Sequence, residues 1–230
     1  ASSRSKVFEG LPTAGLPHPI ESWEEFEKFM ETLVSSEAIG TIREVWWDIR
    51  PHPDFGTIEM RMCDGIPTLD EIASIAAMVQ CLVAWLDSLH ERGYTLPKHS
   101  DWVLRQNKWR AGRFGLDAQI IVDEQGSTKP LVTAIEDTLD ELAPIAKKLG
   151  CEQELDGVRR ILDGGNSAER QRAVVAGGGS MADVVHALVD ELAESAAREE
   201  ALPPLEAPLV PRHRPPARHA PAERWPGSRG

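Results

Sequence analysis

The sequence predicts an α+β fold in which antiparallel strands pack against several helices. Residues 45–62 alternate apolar and polar side chains around a proline- and glycine-containing break, which is typical of a β-hairpin. Residues 68–198 instead repeat apolar side chains at helical spacing. The composition then changes to proline, arginine and alanine, which predicts a disordered tail over residues 199–230. We therefore expect one domain over residues 1–198, followed by that tail.

The hairpin pattern places its charged side chains on one face. If Arg50 pairs with Thr57, Asp48 lies opposite Glu59. Two opposed carboxylates repel each other, so this pairing predicts a divalent metal between them, with arginines nearby for phosphate oxygens. The other face would pack against the helix that begins after Thr68. It carries the apolar side chains of Val45, Trp47, Ile49, Ile58, Met60 and Met62.

Capping signals predict where the helices begin. Ser22 opens a helix that runs to about residue 36, and Thr68 opens a long apolar one. Thr133 is predicted to open a third helix, which Pro144 should kink.

Glycines are expected to divide the remaining helical region at Gly150, Gly164–Gly165 and Gly177–Gly179, and a short strand is expected over residues 119–123. The last glycine run, followed by Ser180, superficially resembles a phosphate-binding loop. It lacks both the lysine ending and the preceding strand of such loops, so a linker with a helix cap is favoured.

Composition excludes several classes of function. The net charge of −12 over 230 residues argues against broad nucleic-acid binding, which needs a basic surface. No apolar run approaches the roughly 20 residues that cross a bilayer, and no signal peptide is recognisable, so we expect a cytoplasmic protein without a membrane partner. Cys63, Cys81 and Cys151 lack metal-site spacing and are expected to be reduced, buried thiols.

Several segments resemble the carboxylate–amine ligase family, which groups with the bacterial glutamate–cysteine ligases of the second type. These segments are, in order, Ser2–Ser5, Leu11–Pro17, Trp47–Pro51, Thr57–Arg61 and Asn107–Ala111. The resemblance covers roughly residues 2–195. It implies the C-terminal half of a glutamine-synthetase-like catalytic fold, whose N-terminal half would supply further metal ligands.

The resemblance implies an ATP-dependent reaction. The γ-carboxylate of glutamate would attack the γ-phosphate of ATP, and an amine such as that of cysteine would then displace phosphate from the acyl phosphate. This chemistry calls for Mg²⁺ and for cationic side chains at the transferring group. The implied metal ligands are Glu59 and Asp48, and the implied catalytic residues are Arg61 and Arg50.

Other basic and polar groups are candidates for binding nucleotide phosphate or substrate carboxylate. They are Arg4, Asn107, Arg110 and Arg113. Structural salt bridges, for instance to Asp117, explain these residues about as well. His52, in the hairpin turn, is a weaker candidate for metal or nucleotide, and Cys63 is expected to be a buried thiol rather than a nucleophile.

Two hypotheses for the function therefore remain. The first is an ATP-dependent carboxylate–amine ligase, or the C-terminal half of its catalytic domain. The second is a truncated, non-catalytic homologue that serves in binding or assembly. The sequence leaves open whether the protein forms a homo-oligomer.

Overall fold

The computed structural model describes residues 3–95 and 99–200, which form two compact units over residues 3–64 and 65–200. The combination of helices with small sheets confirms the predicted mixture of both element types. The predicted tail lies outside the described residues, except for residues 199 and 200, which the last helix includes.

The unit of residues 3–64 contains two helices, four short strands and one 3₁₀ turn. The helices are α1 (Ser3–Phe8) and α2 (Trp23–Ser35), the strands are β1 (Ala14–Gly15), β2 (Trp46–Trp47), β3 (Ile49–His52) and β4 (Thr57–Met60), and the turn is Ile42–Glu44. Strands β1 and β2 pair in parallel, whereas β3 and β4 pair in antiparallel fashion.

Helix α2 begins where the sequence predicts, because the Ser22 side chain accepts a hydrogen bond from the Glu25 N–H at 3.1 Å. Its apolar face supplies Phe26 and Met30 to the core of this unit. The buried members of that core are Phe26, Met30, Ile39, Ile42, Val45 and Trp47.

The hairpin is confirmed, but the predicted register is wrong by two residues. Glu59 lies opposite Arg50, and Thr57 lies opposite His52. The chain closes its turn over four residues, with the Phe55 N–H donating to the His52 carbonyl at 3.2 Å. Gly56 completes the turn at a φ of 60°, which glycine adopts without strain. The predicted pairing would have left a six-residue loop between the strands, without the turn that the hydrogen bond from Phe55 to His52 closes.

The prediction that one apolar face of the hairpin is buried is confirmed for Val45 and Trp47 but wrong for Ile49 and Ile58. Trp47 is buried, and it packs in the cluster with α2. Ile49 and Ile58 are 37% and 56% exposed. The reason is that the charged face turns inward, because Arg50 reaches the carbonyls that precede β2.

The unit of residues 65–200 is mainly helical. Its elements are α3 (Leu69–Glu91), α4 (Asp101–Phe114), β5 (Gln119–Ile121), β6 (Thr128–Pro130), α5 (Leu131–Leu149), α6 (Glu152–Gly164), α7 (Ser167–Ala176) and α8 (Met181–Glu200), with a 3₁₀ turn at Gly115–Asp117. Helices α3, α5 and α6 enclose its core. The buried members are Ala77, Cys81, Leu139, Leu142, Ala146, Leu155 and Val158.

Most of the predicted helix boundaries in this unit are confirmed. Thr68 caps α3 by accepting from the Glu71 N–H at 3.2 Å, Gly150 ends α5 in the left-handed conformation, and Ser180 caps α8. The Thr133 start is wrong, since α5 begins at Leu131. The Leu131 N–H donates to the Ala118 carbonyl at 2.8 Å, so the chain passes directly from β6 into the helix.

Helix α3 corrects the expectation about apolar runs. Its 23 residues are long and apolar enough, by length and composition, to cross a membrane. The core helix of a protein that folds in water meets the same criterion, and α3 supplies Ala77 and Cys81 to the core of its unit.

Candidate functional site

Glu59 stands between two arginines on the hairpin. Its Oε2 accepts from Arg50 Nη2 at 2.6 Å, and its Oε1 accepts from Arg61 Nη1 at 2.6 Å. Arg50 is the cross-strand partner of Glu59, and Arg61 follows Glu59 by two residues. The predicted pair of opposed carboxylates is therefore corrected to a carboxylate between two guanidinium groups.

Arg50 is anchored in the fold of its unit. Its side chain is 7% exposed, and Nη1 donates to the carbonyls of Ile42, Arg43 and Val45 at 3.4, 2.9 and 3.2 Å. These bonds satisfy main-chain groups of the 3₁₀ turn and the segment that leads into β2. Arg50 thus fixes the position of Glu59 from the buried side.

Arg61 is placed differently, because its side chain is 18% exposed and its guanidinium lies 5.1 Å from the ring centre of Trp46. Among the described residues, this side chain donates one hydrogen bond, the one to Glu59. The Arg61 main-chain N–H donates to the Asp48 carbonyl at 2.7 Å. Within the described residues, the other N–H donors of the guanidinium fork have no hydrogen-bond partner.

Arg4 joins the same group from α1. Its Nη1 donates to the Arg61 carbonyl at 3.1 Å, and its guanidinium lies 5.0 Å from the Phe8 ring centre. Arg4, Arg61 and buried Asp48 line a cavity of about 20 Å³. The structure therefore brings five of the predicted site residues together in one unit: Arg4, Asp48, Arg50, Glu59 and Arg61. We name these five residues the arginine cluster.

The arginine cluster has an excess of positive charge, since it contains three arginines and two acidic residues. Partial burial would by itself raise the pKa of Glu59. The hydrogen bond and charge of Arg50, together with the charge and hydrogen bond of Arg61, outweigh that cost and lower this pKa. Glu59 is thus held as a carboxylate, and the remaining positive charge suits a phosphate or carboxylate ligand.

The residues present do not by themselves fit Mg²⁺. No group of three or more His, Cys, Asp or Glu side chains within residues 3–95 and 99–200 could hold a metal ion. Glu59, moreover, already uses both carboxylate oxygens to accept from arginines. A hard cation would require further oxygen ligands, such as phosphate oxygens and water.

The remaining predicted residues lie on α4, in the other unit. Asn107 both donates to and accepts from the main chain of Ile121 at 2.8 Å, and Arg110 donates to the Gln119 carbonyl at 2.9 Å. These bonds attach β5 to α4, so Asn107 and Arg110 have structural partners in the main chain rather than in Asp117. Arg113 is exposed, with its guanidinium 5.5 Å from the Phe114 ring centre.

The hairpin unit also contains the two weaker candidates, His52 and Cys63. His52 is half-buried, 4.5 Å from Phe55 between ring centres, and its buried Nδ1 has no hydrogen-bond partner within the described part of the chain. Cys63 is exposed, so the expectation of a buried thiol is wrong there. It follows β4 at the surface, where its carbonyl accepts from Arg4 at 3.5 Å.

The sequence did not reveal two clusters in the helical unit. Arg170 of α7 binds both Glu71 of α3 and Glu191 of α8. The sulfurs of Cys81 and Cys151 lie 3.6 Å apart. Both clusters join residues that lie far apart in the sequence, and spacing along one helix carries no signal for such contacts.

A protein-family model described as "Glutamate-cysteine ligase family 2" matches residues 1–191. The chain belongs to glutamate–cysteine ligase family 2. This membership confirms the resemblance found in the sequence, and the arginine cluster lies wholly within the matched residues. The predicted roles of its individual residues, and the glutamine-synthetase-like fold, stay predictions.

Curated members of glutamate–cysteine ligase family 2 are similar to this chain over most of its length. A protein of Frankia casuarinae with the provisional name glutamate–cysteine ligase 2-1 is 53% identical over 193 residues, which are 84% of this chain and 50% of the relative. A Thermobifida fusca protein provisionally named glutamate–cysteine ligase 2 is 55% identical over 83% of this chain and 48% of its own. The chain thus spans about half the length of these relatives.

Proposed function

We propose that this chain forms part of an ATP-dependent carboxylate–amine ligase that joins glutamate to an amine, such as that of cysteine, through an acyl phosphate. Membership of the family supports the ligase class. The observation that carries the proposal is the placement of Glu59 between Arg50 and Arg61, with the outer arginine open to a ligand.

In this proposal the γ-carboxylate oxygen of glutamate attacks the γ-phosphorus of ATP, and ADP leaves. The amine nitrogen then attacks the acyl carbon and releases inorganic phosphate. Negative charge spreads over the phosphoryl oxygens during the first step, so cationic donors fixed in advance lower its barrier.

Each member of the arginine cluster has a proposed role in that step. Arg61 contacts the transferring phosphoryl group through its planar fork. Glu59 and Trp46 hold that fork in orientation, and Arg50 holds Glu59 from behind. Arg4 supplies further positive charge at the cavity beside Arg61.

The proposed nucleotide carries Mg²⁺, with phosphate oxygens and water as ligands. The carboxylates within residues 3–95 and 99–200 do not by themselves form a site for this ion. The exposed Arg113 remains a proposed phosphate contact. Asn107 and Arg110 could contact phosphate only while they also keep their hydrogen bonds to β5.

The test of the proposal is ADP release in the presence of glutamate and a panel of amines. The chain would be assayed alone and fused to the part of the Frankia casuarinae relative that it does not cover. We expect the fusion protein to release ADP only when glutamate and an accepted amine are both present. A folded fusion protein that releases no ADP with any carboxylate–amine pair would support the non-catalytic hypothesis instead.

Glu59→Gln separates two roles for this carboxylate in the fusion protein. If Glu59 only orients the arginines, we expect the substitution to lower the rate by the same factor at saturating and at limiting Mg²⁺. A larger loss at limiting Mg²⁺ would show that Glu59 also binds the ion. Glu31→Gln, at an exposed position of α2, is the matched control and should leave both rates unchanged.

A further inference from the structure

Two cysteines that are 70 residues apart in the sequence meet in the helical unit. Cys81, in the middle of α3, is 0% exposed, and Cys151 immediately precedes α6 and is half-buried. Their sulfurs lie 3.6 Å apart, and both are free thiols. A disulfide bond is about 2.05 Å long. Bond formation therefore requires the two sulfurs to approach each other by about 1.5 Å.

The surroundings hold both residues in position. Cys81 belongs to the core cluster of α3, α5 and α6, and Cys151 packs against that cluster. The Cys151 N–H donates to the Ala146 carbonyl at 3.1 Å, directly after the left-handed turn at Gly150. Both main-chain segments are therefore fixed by packing and hydrogen bonds, so the two sulfurs stay neighbours in the folded chain.

The two thiols differ in their access to solvent. The pKa of Cys81 is raised to about 12. Burial contributes most, and the hydrogen bond with Cys151 and the nearness of that thiol add to it. Cys81 is thus protonated and shielded, whereas part of Cys151 reaches the surface. A reagent in solution would meet Cys151 first.

We propose that Cys81 and Cys151 form a thiol–disulfide site that takes a small-molecule disulfide as its oxidant. The Cys151 thiolate attacks one sulfur of the oxidant, the oxidant's S–S bond breaks, and one small thiol leaves after taking up a proton. The Cys81 sulfur then attacks the Cys151 sulfur, the bond between Cys151 and the small thiol breaks, and the departing sulfur takes up the Cys81 proton and leaves as the second small thiol. Two protein thiols are oxidised to one disulfide, and one small disulfide is reduced to two thiols.

The consequence is a covalent link between α3 and the start of α6. This link closes a loop that contains α4, the β5–β6 pair and α5. A cross-link over such a long segment restricts the unfolded chain, so we expect oxidation to raise the Tm by roughly 5–15 °C.

The experiment uses the full chain with Cys63→Ser, which removes the exposed third thiol and leaves the pair intact. The folded protein is treated with excess glutathione disulfide, then analysed by intact mass, thiol titration and peptide mapping. We expect the loss of two hydrogens, no titratable thiol, a cross-linked peptide pair and the higher Tm. Retention of both thiols, glutathione left on both cysteines, a link between two chains, or a lower Tm would each overturn the proposal.

Two further variants test the order of attack. With Cys63→Ser and Cys81→Ala together, we expect the reaction to stop at a mixed disulfide of Cys151 with one glutathionyl group. With Cys63→Ser and Cys151→Ala, we expect Cys81 to stay unmodified because no oxidant reaches it. Modification of Cys81 in the folded Cys63→Ser, Cys151→Ala protein would contradict the proposed order of attack. Whether the disulfide forms at all is decided by the Cys63→Ser protein.

Discussion

The two units contain ionic triads of opposite composition. In the helical unit one arginine, Arg170, lies between the carboxylates of Glu71 and Glu191. In the hairpin unit one carboxylate, Glu59, lies between the guanidinium groups of Arg50 and Arg61. The first triad has an excess of negative charge and the second an excess of positive charge.

The hydrogen bonds show what this difference means. All five N–H donors of Arg170 are used, on both carboxylates and on the Gly165 carbonyl. The triad in the helical unit is thus a closed structural link among α3, α7 and α8. Within residues 3–95 and 99–200 the Arg61 side chain donates only to Glu59, so the triad of the hairpin unit keeps N–H donors that we propose for an anion. A triad of charged residues therefore indicates a binding site only when its donors are not all engaged.

The largest expected effect on stability comes from Arg50, the buried arginine of the open triad. Arg50→Met would leave three main-chain carbonyls without their donor, and we expect the free energy of unfolding to fall by about 2–4 kcal/mol. Urea unfolding of the full chain measures this loss. The exposed Arg43→Met is the matched control, and an equal loss there would contradict the structural role of Arg50.

Arg61 should show the reverse pattern, with a strong effect on rate and a weak one on folding. Arg61→Lys keeps the charge but loses the fork, so we expect kcat of the ligase fusion protein to fall roughly 10- to 1000-fold. The glutamate KM should change less, and unfolding should hardly change. A rise in glutamate KM alone would mean that Arg61 holds the substrate carboxylate, and Arg43→Lys serves as the control.

Arg170 should affect stability without affecting catalysis. Arg170→Met leaves two partly buried carboxylates facing each other, and we expect a loss of about 1–3 kcal/mol in the free energy of unfolding. Arg172, two residues further along α7, is exposed, and Arg172→Met should lower the free energy of unfolding far less. If the two variants unfold at the same urea concentration, the closed triad contributes nothing measurable.

The smallest expected effect is the pH dependence that Glu59 contributes. Its pKa is lower in the folded chain, so its stabilising contribution is present above the unfolded pKa of about 4.3 and is lost as pH falls through the folded value. Solvent screens this half-exposed carboxylate, so we expect less than about 1 kcal/mol. The stability difference between the parent chain and Glu59→Gln should be present at about pH 7 and should shrink as the pH falls below the unfolded pKa. A difference in the free energy of unfolding that does not change with pH would contradict the ionic origin of this contribution.

Local signals made part of the fold predictable from the sequence. Ser22 and Thr68 cap their helices by accepting hydrogen bonds from N–H groups three positions ahead. Both partners lie within a short stretch of sequence, so the cap can be predicted from the sequence. Thr133 carries the same signal but lies inside α5. The start of that helix is set by the hydrogen bond from the Leu131 N–H to the Ala118 carbonyl. These two residues are far apart in the sequence, so no local pattern reveals their contact.

The candidate site shows the same division. The grouping of Asp48, Arg50, Glu59 and Arg61 follows from strand alternation, which a shift of two residues in register preserves. The partners within the group do change with that shift, so the sequence predicted two opposed carboxylates where the structure has an ion pair. For Asn107 the sequence could not show the bonds to β5, because they depend on how α4 and β5 pack.

The exposed side of the hairpin has a consequence for colloidal behaviour. Phe55 and Ile58 are 70% and 56% exposed on a sheet that has two strands in the described part of the chain. Such surfaces favour association between copies. At neutral pH the net charge of −12 keeps copies apart by mutual repulsion, whereas near the isoelectric point of about 5.1 that repulsion disappears. Precipitation should therefore be fastest near that pH.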